Sequence, residues 1–162
     1  MPRIALRDGE TINVICIGQG EPVVLLHGFG SCAAHWLPNV LPLVHRFRFY
    51  LPDLRGFGGS HISDVVHFAD RIVTKYKPKL IYLNAGGNDL HSGRTPEEVL
   101  ASFEAFVAKV QKDLPKTKLA FLSIPTSPSR WDEVELVKTT NSLISASCAK
   151  NGVDFIDIFP LL

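Results

Sequence analysis

The sequence contains only three cysteines, Cys16, Cys32 and Cys148, and their spacing fits neither a disulfide framework nor a metal site. We expect reduced thiols that pack as small buried hydrophobic residues, as in a cytoplasmic protein. The sequence also lacks nucleotide-binding fingerprints of the Walker or Rossmann type. No metal and no cofactor is therefore predicted.

An excess of charge of one sign is also missing. The chain has 17 Lys and Arg against 16 Asp and Glu, a formal net charge of +1, so it offers no general attraction to nucleic acid or to an anionic membrane surface. No apolar run approaches the roughly 20 residues of a transmembrane helix, and the charged segment 1–10 does not fit a signal peptide. We expect a soluble protein that binds neither nucleic acid nor a membrane.

Short apolar runs alternate with longer amphipathic segments along most of the chain. Segments 4–6 and 11–17 predict a β-hairpin. The alternation that follows is typical of βαβ units with right-handed crossovers, and it predicts one doubly wound, mostly parallel α/β sheet. Prolines interrupt the first helix. The predicted strands are 23–26, 47–52, 80–85, 119–124 and 153–158, and the predicted helices are 33–45, 63–76, 96–114 and 133–150.

Two motifs follow predicted strands in the first third of the chain. His27-Gly28 comes after strand 23–26, and the run Asp53-Leu54-Arg55-Gly56 comes after strand 47–52. On these motifs, residues 22–55 resemble the start of an α/β-hydrolase, a family in which the His-Gly pair begins the oxyanion loop. The pair also suits a tight strand-to-helix turn without any catalytic role.

The block Gly86-Gly87-Asn88-Asp89 follows predicted strand 80–85. With the glycine-rich stretch 56–60, it makes residues 55–162 similar to the SGNH (GDSL-type) esterases. The resemblance implies oxyanion-hole positions at Phe29, Gly59 and Asn88. Phe29 occupies the slot of the nucleophilic serine, and Ser31, two residues further, is a weak nucleophile candidate. Alternatively, Asn88 and Asp89 only cap their own loop.

A complete Ser-His-Asp triad is not recognisable in the sequence. The α/β-hydrolase elbow Gly-x-Ser-x-Gly is absent, and the Asp-x-x-His pair of the SGNH family is expected beyond Leu162. Asp64 and His67 have that spacing, but they lie on a predicted helix and are interpreted as a surface pair. The remaining candidates are interpreted as exposed or capping histidines without an acid to orient them: His35, His45, His61 and His91.

Three functional hypotheses follow. The first is a hybrid-fold protein, engineered or recombined from two esterase families, with 1–55 and 56–162 joined in one domain and without catalytic activity. The second is a weak serine carboxylic-ester hydrolase in which Ser31 acts with His27 or His61. The third is a binder of small anions at the carboxyl ends of the strands, where the turn 28–31 opens a helix.

Both resemblances imply the strand order 1-2-4-3-5-6-7, a flavodoxin-like core with strand 2 antiparallel. Three helices would then cover one face of the sheet, and only helix 33–45 would cover the other, because the terminal helix of the SGNH family is expected beyond Leu162. Exposed apolar rows on the last three strands predict a homodimer. Its core is expected to include residues 119–124 and 159–162.

Overall fold

The structure, a computed structural model, describes residues 3–5, 11–28, 32–53 and 61–159. The described residues contain seven strands and five α-helices, with short 3-10 helices between them. The strands are β1 (Arg3–Ala5), β2 (Thr11–Gly18), β3 (Glu21–Leu26), β4 (Phe47–Pro52), β5 (Leu80–Leu83), β6 (Lys118–Leu122) and β7 (Asp154–Ile156). The helices are α1 (Leu37–Val40), α2 (Ile62–Ile72), α3 (Gly87–His91), α4 (Pro96–Asp113) and α5 (Val134–Asn151).

The strands form one sheet in the order β1-β2-β4-β3-β5-β6-β7, as predicted. β1 and β2 form the predicted antiparallel hairpin, and β2 also pairs antiparallel with β4. The other pairs, β3 with β4, β3 with β5, β5 with β6 and β6 with β7, are parallel. The carboxyl ends of β3, β5 and β6 therefore lie side by side at one edge of the sheet.

Local sequence signals explain where several helices begin and end. Thr95 caps α4, because its side chain accepts a hydrogen bond from the Glu98 amide while the Glu98 carboxylate accepts one from the Thr95 amide. Gly152 ends α5 in the left-handed region. The predicted helix 33–45 is broken by its prolines into α1 and two 3-10 helices. No helix among the described residues is both long and apolar enough to cross a membrane.

Helices cover the two faces of the sheet to different extents. α2, α4 and α5 bury one face, including Leu26, Leu83 and Phe121, and the broken helical segment 33–43 packs on Val23, Leu25 and Phe49 of the other face. This arrangement agrees with the predicted distribution of helices. The expectation of an exposed apolar row is wrong for β6, since residues 119–124 are buried apart from half-buried Leu122. The apolar row is exposed on β7, at Ile156.

The three cysteines occupy three different environments. Cys148 is buried, and burial raises the pKa of its thiol to about 11. Cys32 is half-buried and Cys16 is exposed, so the expectation of buried thiols is wrong for Cys16. Cys16 is exposed because it lies on β2, near the outer edge of the sheet.

Candidate active site

Asn84 links the carboxyl ends of the neighbouring strands β3, β5 and β6 through hydrogen bonds. It directly follows β5, and its side-chain nitrogen lies 3.4 Å and 3.3 Å from the carbonyl oxygens of Leu122 and Ser123 after β6. Its backbone amide donates to the Leu26 carbonyl at the end of β3. A Cβ on Gly28 would lie 2.5 Å from Asn84 Oδ1, so a glycine is needed for this close approach. The sequence analysis missed Asn84, although a polar residue at a buried strand end was a signal.

Asn88 lies on α3, a short helix that the sequence analysis did not predict. The helix starts after Gly86, whose φ of +115° favours glycine, and a Cβ there would lie 2.6 Å from Ile124 Cδ1. Asn88 is only 7% exposed. The sharp turn at Gly86 thus places the Asn88 side chain in a buried position beside the carboxyl end of β5.

A pocket of about 280 Å³ opens next to α3, at the carboxyl ends of β5 and β6. Arg130 closes one side, where its guanidinium Nη1 donates to the Gly87 carbonyl at 3.1 Å. The lining mixes apolar and polar groups and suits a small, partly apolar ligand. The lining residues are Asn84, Ala85, Gly87, Ile124, Pro125, Thr126, Ser127, Arg130, Glu133 and Val137.

His61 and Asp89 form an acid–histidine contact that the sequence did not reveal. His61 Nδ1 lies 3.4 Å from Oδ1 of the fully buried Asp89. Asp89 does not cap its own loop through this carboxylate; its Oδ2 accepts a hydrogen bond from the Ile62 amide of α2. Burial raises the pKa of Asp89. The prediction that no acid would lie near the histidines is therefore wrong for His61.

His91 also has an acid partner, at the surface. Its Nδ1 lies 2.5 Å from Glu133 Oε1, and the His91 side chain is largely exposed. Asp64 and His67 do not form a comparable pair. Asp64 Oδ2 accepts a hydrogen bond from the His61 amide and so closes the first turn of α2, while His67 is exposed. His35 and His45 are exposed, as predicted.

His27 occupies the end of β3 and is buried. Its Nδ1 lies 3.2 Å from the Gly28 carbonyl, and burial lowers the pKa of its imidazole. Nearby, the Ala33 amide at the start of the first 3-10 helix donates to Asp53 Oδ1 at 2.8 Å. A carboxylate of the protein thus already occupies this helix start, which removes the main support for the anion-binding hypothesis. Phe29, Ser31 and Gly59 lie outside the described residues.

A family model described as the GDSL-like Lipase/Acylhydrolase family matches residues 17–162. The chain belongs to the GDSL-like lipase/acylhydrolase family. The match begins before β3, so it includes the segment that resembles an α/β-hydrolase.

Solved structures of GDSL-like and related esterases have the same fold. A GDSL-like lipase from Bacteroides thetaiotaomicron is 18% identical, with a TM-score of 0.63 over 85% of this chain and 68% of that one. A catalytic mutant of an acetylxylan esterase from Geobacillus stearothermophilus is 16% identical, with a TM-score of 0.64 over 89% of this chain and 78% of that one. At these identities the likeness concerns the fold alone.

Two curated relatives match short segments at higher identity. A pimeloyl-[acyl-carrier protein] methyl ester esterase from Aeromonas hydrophila is 41% identical over 59 residues, which are 36% of this chain and 23% of that protein. A soluble epoxide hydrolase from Corynebacterium is 40% identical over 57 residues, 35% of this chain and 20% of that protein. The matched segments thus span less than a quarter of these two relatives.

The family assignment corrects the leading functional hypothesis. An inactive engineered hybrid is contradicted, because one GDSL-like hydrolase family accounts for nearly the whole chain. That hypothesis rested on the junction between two family resemblances and on the absence of a recognisable nucleophile, histidine and acid. Local spacing cannot reveal a pair like His61 and Asp89, whose members come from different helices.

Proposed function

We propose that this GDSL-like protein hydrolyses carboxylic esters with a small acyl group. The observation that carries the proposal is the family match over residues 17–162, in a chain that buries Asn88 beside a pocket at the strand ends. The pocket of about 280 Å³ lies just below the usual range of volumes for ligand sites. It therefore favours a short acyl chain over a long one.

The reaction we propose is acyl transfer through a serine. The Ser31 hydroxyl oxygen attacks the ester carbonyl carbon while a histidine takes its proton, and the alcohol leaves with that proton. Water then cleaves the acyl-enzyme to release the carboxylic acid. The family resemblance assigns the oxyanion to the backbone amide of Gly59 and the side-chain amide of Asn88, and Phe29 takes the slot of the family's nucleophile.

We also infer a mixed ancestry for the single domain. Residues 1–55 carry the His27-Gly28 and Asp53-Leu54-Arg55-Gly56 motifs of α/β-hydrolases, and residues 56–162 carry the Gly-x-Asn-Asp block. Matches of 59 and 57 residues to a methyl ester esterase and an epoxide hydrolase are consistent with an α/β-hydrolase contribution of this length. The parallel pairing of β3 with both β4 and β5 supports a continuous sheet across the junction. This ancestry is compatible with the proposed activity.

The nucleophile can be tested by labelling and turnover. We expect a fluorophosphonate probe to modify Ser31, and p-nitrophenyl acetate hydrolysis to fall at least about tenfold in Ser31→Ala. Ser102→Ala is the matched control, because Ser102 lies on α4 and its hydroxyl donates to the Glu98 carbonyl. A wild-type protein that neither turns over the ester nor accepts the probe would overturn the proposal.

The proposed role of Asn88 as an oxyanion donor can be tested separately. Removing one oxyanion donor typically costs about 10²–10³ in kcat. We expect Asn88→Ala to lower kcat by about this factor with KM nearly unchanged, because the donor stabilises the transition state more than the ground state. A rise in KM alone would show that Asn88 only helps to bind the ester.

A further inference from the structure

The amino ends of the parallel strands form the edge of the sheet opposite the candidate active site. Hydrogen bonds join the starts of three of these strands, since the Lys79 amide donates to the Pro22 carbonyl and the Lys118 amide donates to the Lys79 carbonyl. The segments that follow α2, α4 and α5 return to the same edge, because each leads into the next strand. We call this edge the basic end; it consists of segments 18–22, 44–48, 74–80, 112–118 and 150–154.

Charge is divided unevenly between the basic end and the rest of the chain. The basic end contains nine Lys and Arg and three Asp and Glu, so eight basic and thirteen acidic residues remain for the rest of the sequence. All nine cations are exposed. The expectation that the protein binds no membrane rested on the net charge of +1, which does not reveal this separation. Six of the nine cations surround the starts of β5 and β6: Lys75, Lys77, Lys79, Lys112, Lys116 and Lys118.

The three acids of the basic end neutralise little of this charge. Glu21 pairs with Lys79, whereas Asp113 pairs with Lys109, which is not one of the nine cations. The third acid, Asp154, is exposed at the start of β7. The excess positive charge therefore faces solvent, where it attracts an anionic partner.

A hollow of about 400 Å³ lies between the segments that precede β5 and β6. Its lining includes Lys77, Lys79 and Lys116 together with the apolar side chains of Leu114 and Pro115. Neither Lys77 nor Lys116 forms an ion pair with another residue that the structure describes. A basic hollow of this volume is large enough for the phosphate-bearing headgroup of a lipid.

Two exposed leucines lie directly before the first cations of the basic end. Leu41 is 52% exposed and Leu43 is 39% exposed, and the Leu43 carbonyl accepts a hydrogen bond from the Arg46 amide. Apolar side chains next to cations suit an anionic membrane surface, because the apolar groups enter the headgroup region while the cations meet lipid phosphates. A nucleic acid has phosphates but no apolar region for the leucines. The cations also spread from β4 to β7, about 19 Å across four strand spacings, which suits a plane better than one extended peptide.

We propose that the basic end docks on membrane surfaces that contain anionic phospholipids. Leu41 and Leu43 enter the headgroup region, and the lysines around the starts of β5 and β6 bind lipid phosphates. The pocket beside Asn88 lies at the opposite edge of the sheet and faces the water. The docking is independent of the proposed ester hydrolysis, and it places the candidate active site toward esters dissolved in water.

Charge reversal at one lysine tests the electrostatic part of the proposal. We expect the full chain to bind vesicles of phosphatidylcholine with about 30% phosphatidylserine, to bind pure phosphatidylcholine vesicles at least about tenfold more weakly, and to be released by high salt. Lys116→Glu should weaken binding to the anionic vesicles about 30-fold, because each of the two charges lost changes the affinity about fivefold. Lys138→Glu changes the net charge equally, on α5 outside the basic end, and should stay within about twofold of the wild type. Equal binding to both kinds of vesicle, or equal binding of the two variants, would overturn the proposal.

Replacing a leucine separates a membrane from other anionic partners. Leu41→Ser should weaken binding to the anionic vesicles about fivefold, because a half-exposed leucine gains part of its full burial energy in the headgroup region. Leu136→Ser, at an exposed position of α5, should bind like the wild type. Single-stranded RNA and polyglutamate should bind more weakly than the vesicles at the same salt concentration. Tighter binding of either polymer, or vesicle binding that Leu41→Ser leaves unchanged, would show that the basic end is not a membrane-docking surface.

Discussion

Asn141 on α5 forms two hydrogen bonds with the backbone of Ile124. Its Oδ1 accepts from the Ile124 amide at 2.8 Å, and its Nδ2 donates to the Ile124 carbonyl at 3.1 Å. Ile124 begins the segment after β6 that lines the pocket, and its side chain contacts the Gly86 turn. Asn141 therefore fixes one wall of the pocket to the long helix behind it.

Replacing Asn141 with alanine should destabilise the fold. The substitution leaves a buried amide and a buried carbonyl of Ile124 without these partners, which costs about 2–4 kcal/mol in the free energy of unfolding. Urea denaturation would measure this change. Ser142→Ala, at the next and exposed position of α5, should change the same quantity by less than about 0.5 kcal/mol. Equal stability of the two variants would contradict the role assigned to Asn141.

Replacement by alanine should destabilise the protein more at Gly86 than at Gly93, which also has a positive φ. Gly93 has a φ of +89° with open space around it, so Gly93→Ala should cost only the backbone strain, about 1–2 kcal/mol. Gly86→Ala adds contact with the buried Ile124 side chain and should cost about 1–3 kcal/mol more. Denaturant unfolding of both variants checks the difference. Gly86→Ala should also lower esterase activity, because it displaces Asn88.

The buried imidazole of His27 should make stability depend on pH. Burial lowers the pKa of His27 in the folded state below its ordinary value of 6.5, so between these two pKa values the unfolded chain binds more protons. The free energy of unfolding should therefore rise with pH through this window and decline as pH falls below about 6.5. One such group contributes a slope of at most about 1.4 kcal/mol per pH unit. His27→Gln should reduce the slope in urea titrations at a series of pH values, and an unchanged slope would count against a buried neutral imidazole.

The homodimer stays a prediction. In the structure, the exposed apolar side chains available for such an interface lie at the end of the sheet formed by β6 and β7. Leu122 and Ile156 are register partners on the face opposite α4 and α5; Leu122 is half-buried and Ile156 is 40% exposed. We expect sedimentation at high micromolar concentration to show a dimer that Ile156→Lys dissociates, because a charge would be buried at the interface. Leu136→Lys, on the other side of the sheet, should remain dimeric. A wild-type monomer under these conditions would contradict the prediction.

Short-range sequence patterns predict much of the fold. The alternation of apolar runs and amphipathic segments determined the order of strands and helices, because each pattern reflects the side chains of one element and its burial. Thr95, Glu98 and Gly152 determined where helices begin and end, since caps act within a few residues. The resemblance to known families supplied the strand order and pointed to Asn88.

The candidate site depends on contacts that no local pattern contains. His61 meets Asp89 because the starts of α2 and α3 come together at the sheet edge, and Asn141 meets Ile124 because α5 packs behind β6. Asp64 and His67 had the more suggestive spacing, but one caps α2 and the other is exposed. The sequence by itself determined the strands, the long helices and which residue types are available for chemistry, but not the short helix α3. The tertiary structure alone decided which of them face each other, because burial and hydrogen-bond partnership arise only when distant segments pack together.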